Sequence, residues 1–294
     1  MKEIAIIGST ASGKTALSLQ IASITNSIIL SLDSLCVYKD IEIASAKPTL
    51  EERGDIVHFG IDEVFPNVDF DVIKFIELYK KTKDYALKNG KNLIIVGGTG
   101  FYLKALIEGL SQGVDSKIKL DIPQYEAYEL LYSVDKEYMQ KIEKNDRYRI
   151  EKAYAIYKQT DLSPTSYFEK NPKIPVAKDL KIFEILWPKD ELKKRIAQRT
   201  RIMIKSGLID EVIFLEKTYT REPNCMSSIG IVETLEYLDG KLSKTALEEK
   251  ISANTIKLAK RQNTFNKSQF TDKISNNLED LNSDILKYFS IQST

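Results

Sequence analysis

Residues 8 to 15 read Gly8-Ser9-Thr10-Ala11-Ser12-Gly13-Lys14-Thr15, the GxxxxGK[ST] spacing of a phosphate-binding loop. Its glycines let the backbone fold into a nest of N–H groups, and the helix that follows aims its positive end at the anion. Lys14 adds a point charge, and the Thr15 hydroxyl is placed to bind Mg²⁺. This motif fixes a phosphate but not a reaction. A nucleoside triphosphatase also needs an acid at the tip of a second apolar strand. "LIIV" runs into Gly97-Gly98-Thr99-Gly100 and offers none, whereas "SIILSLD" ends in Asp33. The residues after Asp33 do not resemble a switch or a water-positioning segment, and on this motif a small-molecule kinase stays open.

Positioning these residues requires a parallel sheet. "IAIIG" (4–8), "SIILSLD" (27–33) and "NLIIVGGTG" (92–100) read as buried strands, with helical patterns after Lys14, over 71–88 and after Gly100. Alternating strand and helix predicts a doubly wound α/β fold with its ligand at the carboxyl ends of the strands, where Gly8, Asp33 and Thr99 fall. From 114 to 178 no buried strand is evident, and helical stretches are expected around 124–143 and 146–159. The sheet resumes with "DLKIFEILW" (179–187), followed by helices over 189–206, 208–217, 228–239 and 244–268. The expected fold is thus an α/β P-loop parallel-sheet core (1–113 and 179–294) with a helical insertion domain (114–178). Residues after Lys273 read as peripheral.

Composition narrows the classes. The 294 residues are 43% hydrophobic and 29% charged, the balance of a globular protein, with no apolar run near the roughly 18 residues that span a bilayer. Entry straight into an apolar strand without a leader pattern predicts a cytoplasmic protein. Cys36 and Cys225, without a CxxC, argue against a disulfide framework or zinc site, and His58 is the sole histidine. The net charge is +1, so a nucleic-acid partner must be held by a local patch. Lys241 to Lys267 holds seven basic and two acidic residues, which by charge alone reads as a solvated helix face.

Five ordered segments resemble one family, the tRNA dimethylallyltransferases (tRNA isopentenyltransferases). They are "GSTASGKT", "DSLCVYKDIEIASAKP" (33–48), "VGGTGFY" (96–102), "RIAQRTRIMIKSGLIDEV" (195–212) and "TIKLAKRQ" (255–262), within a similarity running from residue 4 to about 268. The resemblance implies carbon transfer. Dimethylallyl diphosphate would lose its diphosphate, and N6 of adenosine 37, beside the anticodon, would accept the prenyl group. Lys14, Asp33, Thr99 and Arg199 match the family's catalytic positions, with Asp33 as general base. Gly8, Ser9, Thr10, Ala11, Ser12, Gly13, Lys14, Thr15 and Arg199 would hold the diphosphate, and Thr15 the Mg²⁺. Asp33, Ser34, Leu35, Cys36 and Thr99 match the surroundings of the acceptor base.

The insertion matches the family's tRNA-gripping domain through "KNDRYRIEKAYAIY" (144–157), keeping Arg149 and placing Lys152 where arginine is usual. Lys260 and Arg261, with Lys267, then read as a grip on the anticodon stem-loop instead of a solvated face. Tyr148 and Tyr154 are candidates for base stacking or for core packing, and Phe101 and Tyr102 for a prenyl slot or for core. Cys36 reads as small apolar filler, His58 as a hydrogen-bonded structural residue, and Arg195 and Arg201 as surface ion pairs. Ile231, Val232 and Ile256 depart from the family pattern, which bears on tRNA contacts more than on chemistry. A monomer without membrane attachment is expected. The alternatives are transfer to a free adenine nucleotide, a P-loop kinase, and a non-catalytic tRNA-binding module.

Overall fold

A computed structural model describes residues 1–111, 113–114 and 119–290, so 115–118, at the start of the expected insertion, lie outside the described residues. Two compact units emerge, Met1–Lys104 with Asp179–Thr294, and Ala105–Lys178. The boundary falls inside a helix, ahead of the expected start at 114.

The larger unit carries a six-stranded, all-parallel sheet. Along the chain its first half runs β1 (Glu3–Gly8), α1 (Lys14–Ile24), β2 (Ser27–Leu32), α2 (Leu50–Arg53), β3 (His58–Phe59), α3 (Val72–Lys88), β4 (Asn92–Gly97) and α4 (Gly100–Glu108). In the smaller unit follow α5 (Gln124–Val134), α6 (Lys136–Met139), α7 (Arg147–Thr160) and α8 (Pro164–Lys170). The larger unit resumes with β5 (Lys181–Ile185), α9 (Lys189–Lys205), α10 (Leu208–Tyr219), a 3₁₀ turn (Asn224–Ser227), α11 (Ile231–Leu238), α12 (Lys244–Gln269), β6 (Lys273–Asn276) and α13 (Leu278–Ser290). None of the described helices is long and apolar enough to cross a membrane.

Strand order is β3-β2-β4-β1-β5-β6. The chain leaves β1 toward β2 on one side and leaves β4 for β5 on the other, so the order reverses between β1 and β4. A crevice forms at such a switch point, outside the carboxyl ends of the strands. Ile7 and Leu32 both register with Gly97, so three strand tips end at one level. The loops after Gly8, Leu32 and Gly97 therefore face a common space.

The sheet core is aliphatic. Ile4, Ile6, Ile29, Ile94 and Phe183 pack with Leu17 and Ile21 of α1 and with Leu281, Ile285 and Phe289 of α13. The expectation that residues after Lys273 are peripheral is wrong. β6 pairs in parallel with β5, and α13 covers α1 with three buried apolar side chains at helical spacing. Burying each stabilises by about 1.5–3 kcal/mol. A second cluster joins Val37, Tyr38 and Ile41 of the segment after β2 to Val212 and Leu215 of α10, Ile231 and Leu235 of α11, and Leu247 and Ile251 of α12. Ile231 is thus a core residue, and Ile256 packs with Leu192, Ile196 and Ala259 between α9 and α12.

The smaller unit is helical, with Ala127, Tyr128, Leu131, Met139, Ile150, Ala153 and Tyr154 in its core. Buried Asp135 caps α6 through the Tyr138 N–H and accepts from the Thr165 N–H at 2.7 Å and its hydroxyl at 3.0 Å, tying α8 to α6.

Candidate active site

The phosphate loop turns sharply after β1. Gly8 (φ 152°), Ala11 (φ 62°) and Gly13 (φ 93°) all have positive φ, and Ser12 N–H bonds back to Ser9 O at 3.2 Å. At Ala11 a side-chain residue sits in the left-handed region, a local strain that surrounding contacts must hold. Three side chains from distant segments do so. Arg195 Nε donates to Ala11 O at 2.8 Å, Trp187 Nε1 to Ser12 O at 2.8 Å, and Thr10 N–H to Gln262 Oε1 at 2.8 Å. The Arg195 guanidinium stacks on Trp187 at 4.4 Å. The reading of Arg195 as a surface ion pair is therefore incorrect: its charge is spent on the loop. Arg201 does make such a pair, with Glu248 at 2.7 Å.

No side chain caps α1, which leaves its first N–H groups for an anion. Lys14 folds back onto the loop, donating to Ser9 O at 2.7 Å. Burial pulls its ammonium down to about 8; Arg199 pushes the same way, while Asp33 and Cys36 oppose. Arg199 is itself lowered by burial against the pull of Asp33.

Asp33 follows β2 directly. Its Oδ1 accepts from Leu35 N–H at 2.9 Å and Cys36 N–H at 3.4 Å, a turn that fixes the carboxylate by its own backbone. Thr99 Oγ1 accepts from Ser34 N–H at 3.2 Å, and Thr99 N–H reaches Leu32 O at 3.1 Å. Thr99 thereby ties the turn after β4 to the Asp33 turn. Cys36 is buried, and burial with the adjacent Asp33 pushes its thiol well above its ordinary range. That agrees with packing and not with a thiolate nucleophile.

Residues 36–48 wrap over the cleft and are held at two points. Glu211 accepts the N–H groups of Glu42, Ile43 and Ala44 at 2.8, 2.7 and 2.9 Å. Buried Lys47 bonds Tyr38 O at 3.0 Å and pairs with Glu42 at 2.8 Å and with Asp62. Sequence reasoning missed Trp187, Glu211, Gln262 and Lys47 as site-building residues. Glu211, Gln262 and Lys47 lie inside the quoted segments "GLIDEV", "AKRQ" and "SAKP", which was the available signal.

Three adjoining hollows make up the cleft, all within the larger unit. The outer one lies against the phosphate loop and is lined by Gly13, Lys14, Thr15, Lys47, Arg195 and Arg199. The middle one shares Lys14, Thr15, Lys47 and Arg199 and adds Asp33, Cys36, His58 and Gln262. The third shares Asp33, Arg199 and Gln262 and is lined further by Ser34, Leu35, Thr99, Met203, Ile229 and Arg261. Arg199 lines all three. Lys14, Thr15, Asp33, Cys36, Thr99 and Arg199 are thus brought together. His58 bonds Ile56 O through Nδ1 at 2.7 Å, as expected of a structural residue, yet it also faces the middle hollow, and burial lowers its pKa.

Of the expected tRNA contacts, Arg261 borders the third hollow, and Lys260, Arg149 and Lys152 fall elsewhere. Lys260 and Arg261 are exposed on α12 and share a groove with Val232, Lys257 and Phe265. Arg149 and Lys152 lie on α7 of the smaller unit. Arg149 is exposed and paired with Asp146 at 3.0 Å, and Lys152 sits over the exposed Tyr148 ring at 5.6 Å. Tyr154 is core, its hydroxyl bound to Asp121. Tyr102 is also core, stacked on Phe75 at 4.7 Å, and neither it nor Phe101 lines the three hollows. Among the described residues no group of three or more His, Cys, Asp or Glu side chains is arranged to hold a metal. The donor at the loop is the Thr15 hydroxyl. That fits a Mg²⁺ ion that keeps its waters and takes other ligands from a bound phosphate.

A parallel α/β sheet with an uncapped glycine loop beside a strand-tip carboxylate defines the P-loop class of α/β fold. A family model described as "IPP transferase" matches residues 36–269, and the chain belongs to that family. It is 80% identical to a protein of Aliarcobacter butzleri named tRNA dimethylallyltransferase, over 99% of this chain and 100% of that one. Among solved structures, a tRNA delta(2)-isopentenylpyrophosphate transferase from Staphylococcus epidermidis is similar at 30% identity and a TM-score of 0.73, covering 99% of each chain. A eukaryotic dimethylallyltransferase described as acting on tRNA is similar at 26% identity and a TM-score of 0.83, over 99% of this chain and 76% of that one.

Proposed function

We propose that this chain transfers the dimethylallyl group of dimethylallyl diphosphate to N6 of adenosine 37 in tRNA and releases diphosphate. The observation that carries this reading is a single cleft with an anion cradle at one end and a turn-held carboxylate at the other, with Arg199 bordering every part of it. The diphosphate sits in the loop of residues 8–15 at the α1 N-terminus, on the N–H groups the loop leaves free, with Lys14 and Arg199 as counter-charges. As the bond to C1 breaks, negative charge grows on the departing diphosphate, and donors already aimed there stabilise the transition state with little reorganisation. Arginine's planar fork suits two phosphate oxygens at once. Thr15 would hold a Mg²⁺ ion accompanying the diphosphate, which would further neutralise that charge.

The acceptor amine is weakly nucleophilic because its lone pair is delocalised into the purine. Asp33, pinned through Oδ1, offers its other oxygen to take the proton as the C–N bond forms. Ser34, Leu35 and Thr99 border the base. The base must leave its stack, which costs least in a loop. Lys260 and Arg261 on α12, with Arg149 and Lys152 of the helical unit, hold the anticodon stem-loop by its phosphates.

The test is nucleoside mass analysis after incubating the protein and Mg²⁺ with dimethylallyl diphosphate and either an anticodon stem-loop or AMP, with a parallel arm in which ATP replaces the prenyl donor. One five-carbon unit on the target adenosine is expected, and none when that base is replaced by guanosine. Prenylated AMP alongside unmodified tRNA would overturn the choice of acceptor, and phosphate on the product without prenyl mass would overturn the reaction class.

A further inference from the structure

We propose that Gln262 is a positioning residue that locks the amide cradle to the Gly98–Thr99 turn and so sets the separation between leaving group and acceptor base. The proposal rests on the transfer reaction above. Gln262 lies on α12, far along the chain from both partners. Its Oε1 accepts the Thr10 N–H at 2.8 Å, and its Nε2 donates to Gly98 O at 3.1 Å. A carboxamide carries one acceptor and one donor group side by side, so it bridges an N–H on one loop and a C=O on another without any charge. The bridge joins the two loops that flank the switch point between β1 and β4. On one side, Thr10 belongs to the cradle. On the other, Thr99 receives the Ser34 N–H and so reaches the Asp33 turn. Gln262 also borders both hollows that contain Asp33 and Arg199.

Gly98 gives an independent sign of the same fit. A Cβ built there would stand 2.4 Å from Gln262 Nε2. Gly98 is absent from the positive-φ glycines, so its backbone alone would admit alanine. The constraint at position 98 is therefore the carboxamide. A methyl group at 98 and loss of the carboxamide at 262 should produce the same defect, and either should mask the other.

Five variants test this, each compared with the wild type for melting temperature, for kcat and KM with dimethylallyl diphosphate and anticodon stem-loop, and for amide exchange in residues 8–15. Gln262→Met, which keeps length but cannot bridge, should lower kcat by roughly 30- to 100-fold, the scale of an ångström-level misplacement. KM for both substrates should stay within about threefold, because the groups that contact them remain, and exchange at Thr10 should speed up. Gln262→Glu keeps the acceptor for Thr10 but loses the donor to Gly98, and should fall between. Gly98→Ala should match Gln262→Ala, and the double variant should be no worse than either. A Gln262→Met kcat within about threefold of wild type, unchanged Thr10 exchange, or losses at 98 and 262 that multiply would each overturn the proposal. A wild-type protein inert toward tRNA would instead sink the transfer reaction, while the exchange measurement would still decide whether the bridge exists.

Discussion

Raising the pH from 7 to 9.5 probes the charge of the cradle directly. Lys14 sits near 8 when the cleft holds no anion, because burial and Arg199 disfavour its ammonium. A bound diphosphate needs that ammonium charged. At pH 7 it is almost fully protonated, whereas at pH 9.5 only about 3% remains so. Binding must then load a proton first, which costs about 2 kcal/mol and weakens affinity roughly 30-fold. Isothermal titration with pyrophosphate, in two buffers of different ionisation enthalpy, should show little proton uptake at pH 7 and about half a proton at pH 8. Pyrophosphate titrates too, so the profile is compared with that of Lys14→Arg, whose side chain stays charged throughout. The ratio of the two affinities should fall by that roughly 30-fold factor. The linked effect on folding has a defined sign. Lys14 is depressed in the folded state, so between about 8 and its ordinary 10.5 the unfolded chain binds more protons. The penalty is fully present below that window and is relieved through it, so Lys14 adds stability as pH rises, by up to roughly 3 kcal/mol. A pyrophosphate profile identical in wild type and Lys14→Arg would refute the reasoning.

Three further outcomes are expected. Asp33→Asn should lower kcat by about 10²- to 10⁴-fold, the usual contribution of a general base, while filter binding shows tRNA affinity within a few-fold of wild type. Arg261→Ala should flatten the salt dependence of tRNA binding by roughly one unit of log–log slope, read from affinities across a potassium chloride series. Leu281→Ala should destabilise the chain by about 2–5 kcal/mol in urea melts, although it lies outside the cleft, since this side chain is fully buried between α13 and the sheet.

What could be read in advance follows from what is local. The phosphate loop is an eight-residue motif between a strand and a helix, so its form and place could be read directly. Asp33 and Thr99 end apolar runs, and a parallel sheet brings such ends together. β3 escaped notice because it has two residues, and β6 because "KISN" carries no apolar stretch. α13 did carry a signal, with Leu278, Leu281, Ile285 and Phe289 at helical spacing, but the polar residues around them masked it. The braces of the cleft were hidden for another reason. Trp187, Arg195, Glu211 and Gln262 act on residues 164 to 252 positions away, and no local pattern announces a partner at that range. Tryptophan beside a strand and arginine on a helix suit many roles. Only the fold assigns these two to the carbonyls of Ser12 and Ala11.

The position of α13 has a consequence for how the protein comes into being. Its first residue, Leu278, lies 3.7 Å from where a Cβ on Gly13 would stand, and the rest of the helix covers α1. During synthesis, therefore, the segment bearing the cradle emerges well ahead of α13 and stays without its apolar cover until the intervening strands and helices have been made. Contacts of such sequence separation are slow to form, and a nascent chain leaves this surface open to aggregation or chaperone capture. The anion-binding loop is thus made long before the helix that completes its surroundings.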